Sequence, residues 1–359
     1  MKLSLQPFVP MHYFTLTNSL SKKSYRAIFV FFSIILISFD SLCQPVPAVD
    51  ENIPFLVTFG KKASPSFGDD DNIQIFFITI PKSVTKPIYI RIFDPEVGGD
   101  NDELNSQADT KTKFSLYGGI GSFTTLDARS VQPVGKYASG TLLATKTFGQ
   151  SSQYDNNWYT FEPIYASDGE WVESENAYIL KVIAEGIEGD DGNLYRYYFS
   201  TEAEKNVAIE GANAFTYEYT FRMHGKSGQI CHLYPYISKS VISVQQSNFD
   251  WDGDGVIKLV SFERKGEWVE TSNDNEWKTS KHIIKPTERE RSLDVQFVNS
   301  TNAKPKNNIC FYITNQYGES LPFYTIPIGG KPVFKYSNSL EKLRETERFK
   351  NEKIYNRVK

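Results

Sequence analysis

The sequence predicts an all-β protein made of two β-sandwich domains of the jelly-roll or Ig-like kind. Three observations carry that expectation. Apolar and polar residues alternate along many segments, turns rich in Gly, Asp and Asn separate those segments, and aromatics make up 14% of the chain, mostly 26 Phe and 21 Tyr. Period-two alternation places one face of a strand on a core. Phe and Tyr pack well on such a pleated, half-buried surface. The length of 359 residues suits two domains, and a hydrophobic fraction of 40% suffices for packed cores.

From the N-terminus, Lys22, Lys23 and Arg26 precede the apolar run Ala27 to Ser38. A run of that length is too short for a comfortable span, which takes about 20 apolar residues. It fits the apolar core of a secretory signal peptide, here residues 1–43, with cleavage after Ser41-Leu42-Cys43 and Gln44 as the first mature residue. Met11 is an alternative start. Two rival readings are lipidation at Cys43, which Asp40 and Leu42 fit poorly, and an uncleaved anchor helix. On the signal-peptide reading the mature chain is exported to the periplasm, outer membrane or exterior, with no membrane span.

The first domain is expected at residues 50–224. Ile73 to Ile80 (IQIFFITI) reads as a central strand buried on both faces, and Tyr178 to Ala184 (YILKVIA) as another. Ile88, Ile90 and Ile92 alternate with Tyr89, Arg91 and Phe93, and Phe215, Tyr217, Tyr219 and Phe221 form a long alternating strand. Gly98 to Asn101 and Gly189 to Asn193 are turns. Tyr117 to Gly121 reads as a hairpin turn, since no Gly-Lys-Ser/Thr follows to make a phosphate loop. Met223 to Gln229 is the expected boundary, followed by a second sandwich at 225–335. Residues 336–359 form a charged tail whose Leu340, Leu343 and Ile354 allow one short amphipathic helix.

The sharpest chemical motif is Asp250-Trp251-Asp252-Gly253-Asp254-Gly255. Carboxylates at alternate positions, then a glycine, can converge on one hard cation. The expected Ca²⁺ ligands are Asp250, Asp252, Asp254 and the carbonyl near Val256. Ser261 stands where an EF-hand has glutamate, and Lys258 where FG-GAP repeats carry an acid. The alternative is an acidic turn whose aspartates only accept backbone N–H bonds. Asp69 to Asp71, the acids from Asp94 to Glu103, and Asp190, Asp191 and Asn193 would form a second cation site only if their loops meet.

Cys231 and Cys310 each lie in a strand-like run. They either pair in an oxidising compartment or remain buried free thiols. No basic patch suits nucleic acid at a net charge of −4. There is no G-x-S-x-G elbow, and His224, His232 and His282 lack zinc spacing. An unrecognised acid pair among Glu162, Glu170, Glu173 and Glu185 would make a hydrolase. Trp158, Tyr159, Trp171, Trp268 and Trp277 near polar turns would suit a calcium-dependent sugar surface, or serve the core.

Three long segments carry a family resemblance: GDDDNIQIFFITIPKSVTKPIYIRIFDPEVGG, EGIEGDDGNLYRYYFS with GANAFTYEYTFR, and FYITNQYGESLPFYTIPIGG. They resemble the N-terminal region of large bacterial envelope proteins, which in relatives precedes an OmpA-like peptidoglycan-binding domain. The resemblance covers most of residues 52 to 335. Residues 336–359 hold no such module, so wall anchoring is not carried over. The resemblance and the motifs together imply a noncatalytic envelope protein in adhesion, scaffolding or assembly, with an envelope protein or a glycan as partner.

Overall fold

The computed structural model describes residues 45–300 and 307–332. The expected signal peptide, Cys43 and the charged tail lie outside them. The strands of the first stretch are β1 (Phe55–Phe59), β2 (Ile73–Pro81), β3 (Tyr89–Phe93), β4 (Lys111–Gly118), β5 (Thr141–Phe148), β6 (Trp158–Thr160) and β7 (Glu170–Val172). Then follow β8 (Ala177–Glu188), β9 (Gly192–Ser200), β10 (Asn213–Thr216), β11 (Glu218–Arg222), β12 (Ile230–Leu233), β13 (Tyr236–Ile237) and β14 (Ser243–Phe249). The last are β15 (Gly255–Val260), β16 (Glu267–Val269), β17 (Trp277–Ile283), β18 (Arg291–Ser292), β19 (Asp294–Asn299), β20 (Asn308–Asn315) and β21 (Phe323–Tyr324). The fold is all-β, as expected; among the described residues the only helices are short 3₁₀ turns, and none is long and apolar enough to cross a membrane.

One eight-stranded antiparallel sheet, in the order β17-β14-β20-β11-β1-β9-β3-β6, organises the molecule. Part of it packs on the sheet β21-β10-β2-β8-β4-β5, where Phe76 meets Tyr219 at 5.3 Å between ring centroids and Phe114 meets Tyr195 at 4.9 Å. Another part packs on the four-stranded sheet β12-β19-β15-β16, where Phe297 meets Phe221 at 5.2 Å and Phe311 at 5.0 Å. Tyr219 and Phe221 stand two apart on β11. Both smaller sheets therefore cover the same face of the large one, and a continuous core runs beneath them.

The expected division at residue 224 needs correction. Met223 to Gln229 is a connection, as expected, and carries the chain from β11 to β12. But β14, β17 and β20, from the second half, return to the large sheet. There β20 pairs with β11 from Glu218↔Tyr312 to Arg222↔Asn308. A cut between the halves would bare that ladder on both sides. The two sandwiches share one sheet.

The strands buried on both faces come out as expected. On β2, Phe76, Ile78 and Ile80 enter the main core while Ile75 and Phe77 enter a second cluster with Phe123, Ile179 and Phe215. The long alternating strand around Tyr217 is divided instead. Phe215 on β10 lies in that second cluster, and Tyr219 and Phe221 on β11 lie in the main core. The chain changes sheets at Tyr217, so one period-two run serves two sheets.

The ladder between β1 and β11 ends after Leu56↔Phe221, and the two strands splay. Gln74 bridges the opening: its Oε1 accepts from Thr220 N at 2.9 Å, and its Nε2 donates to Val57 O at 3.4 Å and Tyr195 Oη at 3.3 Å. Gln74→Leu keeps the volume but strands the buried Thr220 N–H. It should lower stability by about 2 kcal/mol in urea unfolding. A loss under about 0.5 kcal/mol, the scatter of surface substitutions, would show that the bridge is dispensable.

Candidate metal centre

The acidic loop joins β14 to β15. Asp250, Asp252 and Gly253 all take left-handed backbone angles, with φ of 59°, 61° and 70°. Asp tolerates this region better than most residues, and glycine adopts it freely. At the end of the loop, Gly255 passes so close to β19 that a Cβ there would lie 2.0 Å from Val298 O. Between the two aspartates Trp251 turns inward, fully buried, with its ring 5.9 Å from Phe297.

The loop is laced to the segment between β16 and β17. Trp251 N donates to Ser272 Oγ at 2.9 Å, and Asn275 N donates to Asp250 Oδ1 at 2.7 Å. These bonds bring Asp274 beside the loop. Ligand atoms of Asp250, Asp252 and Asp274 lie within 4.8 Å of one another. Two unit charges at that distance repel by about 3 kcal/mol in an effective dielectric near 20. Burial, with Asp252 and Asp274 adding to it, pushes the Asp250 carboxyl up to about 7. Three such oxygens are a fitting donor set for a hard divalent cation.

Two of the four expected ligands thus converge and two do not. Asp254 turns away: its Oδ2 accepts from Asn307 Nδ2 at 3.0 Å, and its carbonyl accepts from Ser300 N at 2.8 Å. Val256 sits inside β15 opposite Val298, so its backbone belongs to the sheet rather than the loop. Asp274 is the residue that spacing within the motif could not supply. The Asn- and Asp-rich run Ser272 to Asn275 was its one local signal.

The other acidic loops partly meet. Glu103 and Gly192 exchange backbone hydrogen bonds at 3.0 and 2.8 Å, which joins the Asp94–Glu103 and Asp190–Asn193 loops. There the ligand atoms of Asp109, Asp190 and Asp191 lie within 4.8 Å of one another, and the acids also serve those turns. Asp191 accepts from the backbone N–H groups of Asn105, Asp109 and Thr110 at 2.9, 2.8 and 3.1 Å, and Asp102 from Leu194 N and Gly98 N, each at 2.8 Å. The Asp69–Asp71 loop goes elsewhere, to Trp277 and Gln132.

Cys231 and Cys310 are both free thiols, and a bridge between them is ruled out by the sheet itself. On β20, Ile309, Phe311 and Ile313 face the core, so Cys310 faces the opposite side. Cys231, on β12, points into the core.

The tryptophans are dispersed over β6, β7, β16 and β17, and each has its own contacts. Arg91 covers Trp158 at 5.0 Å, Lys258 covers Trp268 at 4.8 Å, Trp171 donates to Glu173 at 2.8 Å, and Trp277 packs on Tyr312 at 5.0 Å. Of the glutamates considered for an acid pair, Glu170 accepts from Phe123 N and Thr124 N at 2.7 and 3.0 Å. Glu185 accepts from Tyr137 Oη at 2.9 Å and pairs with Lys113 at 2.7 Å.

No family model and no curated protein matches the chain. Among solved structures, a chain of the T=1 Penaeus vannamei nodavirus particle, determined by cryo-EM, is similar at 13% identity with a TM-score of 0.16, over 73% of this chain and 96% of that one.

Proposed function

We propose that the chain is an exported, noncatalytic β-sandwich protein of the bacterial envelope, fixed by Ca²⁺ at Asp250, Asp252 and Asp274, and acting in adhesion, scaffolding or envelope assembly. One observation carries the calcium reading: three carboxylates from two separate segments converge on a loop already held in left-handed geometry. The compartment rests on the apolar run after Arg26 and on the resemblance to envelope proteins. An extracellular setting suits a site with few ligands, because such modules bind Ca²⁺ at about 10⁻⁴–10⁻³ M.

The cation would stabilise rather than react. It offsets the repulsion among the three acids and ties the β16–β17 segment to the β14–β15 loop. Calorimetric titration of Ca²⁺ into the protein should find one site in that range. Tenfold excess over Kd should add about 1.4 kcal/mol to stability. Asp252→Ala and Asp274→Ala should each abolish binding, while Asp254→Asn should leave a measurable site. Absence of binding up to the millimolar range, or binding unchanged in Asp252→Ala, would overturn the reading.

A further inference from the structure

Another cluster, which includes a sulfur, lies where β1 and β11 splay, on the face of the large sheet opposite the main core. Ligand atoms of Asp70, Glu218 and Cys310 lie within 4.8 Å of one another. Cys310 is buried, and its Sγ donates to Glu218 Oε1 at 3.0 Å. The carboxylates are held from outside. Asp70 Oδ2 accepts from Trp277 Nε1 at 2.8 Å and from Gln132 Nε2 at 2.6 Å, and Glu218 Oε2 accepts from Gln132 N at 2.7 Å.

Two oxygens remain without a donor. Asp70 Oδ1 and Asp71 Oδ2 are both shielded, and neither has a hydrogen-bond partner among the described residues. The half-buried Asp71 carboxyl lies in the electrostatic field of Glu218 and Asp69. Among the described residues, no Lys, Arg or His forms an ion pair with Asp69, Asp70, Asp71 or Glu218. Carboxylate oxygens shielded from solvent without a donor, in a cluster that no ion pair neutralises, are costly, and a cation relieves that cost directly.

We propose that Asp70, Glu218 and Cys310 bind Zn²⁺, with Asp71 Oδ2 or water completing the shell. The sulfur chooses the metal. Ca²⁺ takes oxygen ligands, whereas Zn²⁺ accepts thiolate and carboxylate together in a four-coordinate shell. In a tetrahedral shell, Zn–S and Zn–O distances of about 2.3 and 2.0–2.2 Å place ligand atoms roughly 3.4–3.6 Å apart, so atoms now within 4.8 Å of one another would close by little more than about 1 Å at most. On binding, the Cys310 thiol gives its proton to solvent, and the thiolate and two carboxylates face the dication. The ion would tie the β1–β2 loop to β11 and β20. None of these ligands belongs to the Asp250 loop, so the two sites succeed or fail separately.

Cobalt tests the sulfur directly. Co²⁺ added to the full chain should give a thiolate-to-cobalt charge-transfer band in the near ultraviolet that saturates at one equivalent and is abolished by Zn²⁺. Cys310→Ser should remove the band and weaken Zn²⁺ binding by about 100-fold or more. Glu218→Gln should weaken it by at least about 10-fold, and Asp252→Ala should leave it unchanged. Absence of the band in the unaltered chain would overturn the proposal, even if Cys310→Ser fails to fold. So would a band that survives Cys310→Ser, which would assign it to another cysteine, or Zn²⁺ affinity unchanged in Glu218→Gln.

Discussion

Trp251→Ala is expected to lower the stability of the protein by about 4 kcal/mol, the scale for deleting a large buried aromatic. The side chain is fully buried and packs on Phe297. It also fills the space left by Gly255, whose Cβ would stand 3.0 Å from the indole ring. A cavity there would not close easily, because β15 and β19 are fixed by six consecutive pairings, from Gly255↔Asn299 to Val260↔Asp294. The loss should reach the candidate calcium loop as well. Trp251 stands between Asp250 and Asp252 and anchors both left-handed residues to the core, so Ca²⁺ affinity should fall together with stability. Trp251→Phe supplies the contrast. The indole Nε1 has no acceptor among the described residues, so phenylalanine gives up volume but none of the hydrogen bonds they make. It should cost about 1–2 kcal/mol. Urea unfolding of both variants checks the pair. Equal effects of Phe and Ala would mean that the loop, not the core, determines the cost.

The second large effect is a loss of stability as pH rises, centred on Glu51. This residue ends a 3₁₀ turn and is fully buried. Its Oε2 accepts from Ala48 N at 2.5 Å and Tyr219 Oη at 3.0 Å, while Oε1 has no donor among the described residues. Burial raises its carboxyl from 4.5 to about 8, against the pull of those two hydrogen bonds. The folded chain therefore keeps this proton to about pH 8, and the unfolded chain releases it near 4.5. Between those values the folded state binds more protons, so stability falls with rising pH. The contribution is complete below about pH 4.5 and is lost progressively up to about pH 8, by at most about 5 kcal/mol. Asp102, which burial raises to about 7, acts in the same direction. Unfolding at about pH 4.5 and about pH 8 with a chelator present, the two ends of that window, measures the slope without bound cations. Glu51→Gln should flatten it. A variant that keeps the full slope would assign the effect to other acids.

The Glu51 case shows why some of this chemistry could not be read along the chain. Its neighbours Ala48 and Asp50 look like an ordinary turn, and only the approach of Tyr219, 168 residues later, makes the site dry and dangerous for a charge. The same holds for the thiols. The runs around Cys231 and Cys310 both looked like strands, and both are. Which face each cysteine takes depends on register, and a register shift of one residue reverses it.

The sequence by itself determined the strand content and the strands buried on both faces, such as Ile73–Pro81, because the alternation of side chains is a local property of extended backbone. It also determined the acidic loop and the connection at Met223 to Gln229, since Asp and Gly set left-handed turns from within the loop. Only the tertiary structure decided that the two sandwiches share a sheet, that Tyr217 marks a change of sheet, that Asp274 replaces Asp254 beside Asp250, and that Asp70, Glu218 and Cys310 meet. The reason is the same in each case. The contacts that decide these points join residues 22 to 240 positions apart, and period two tells which side a residue faces but carries no information about which segment returns to lie beside it.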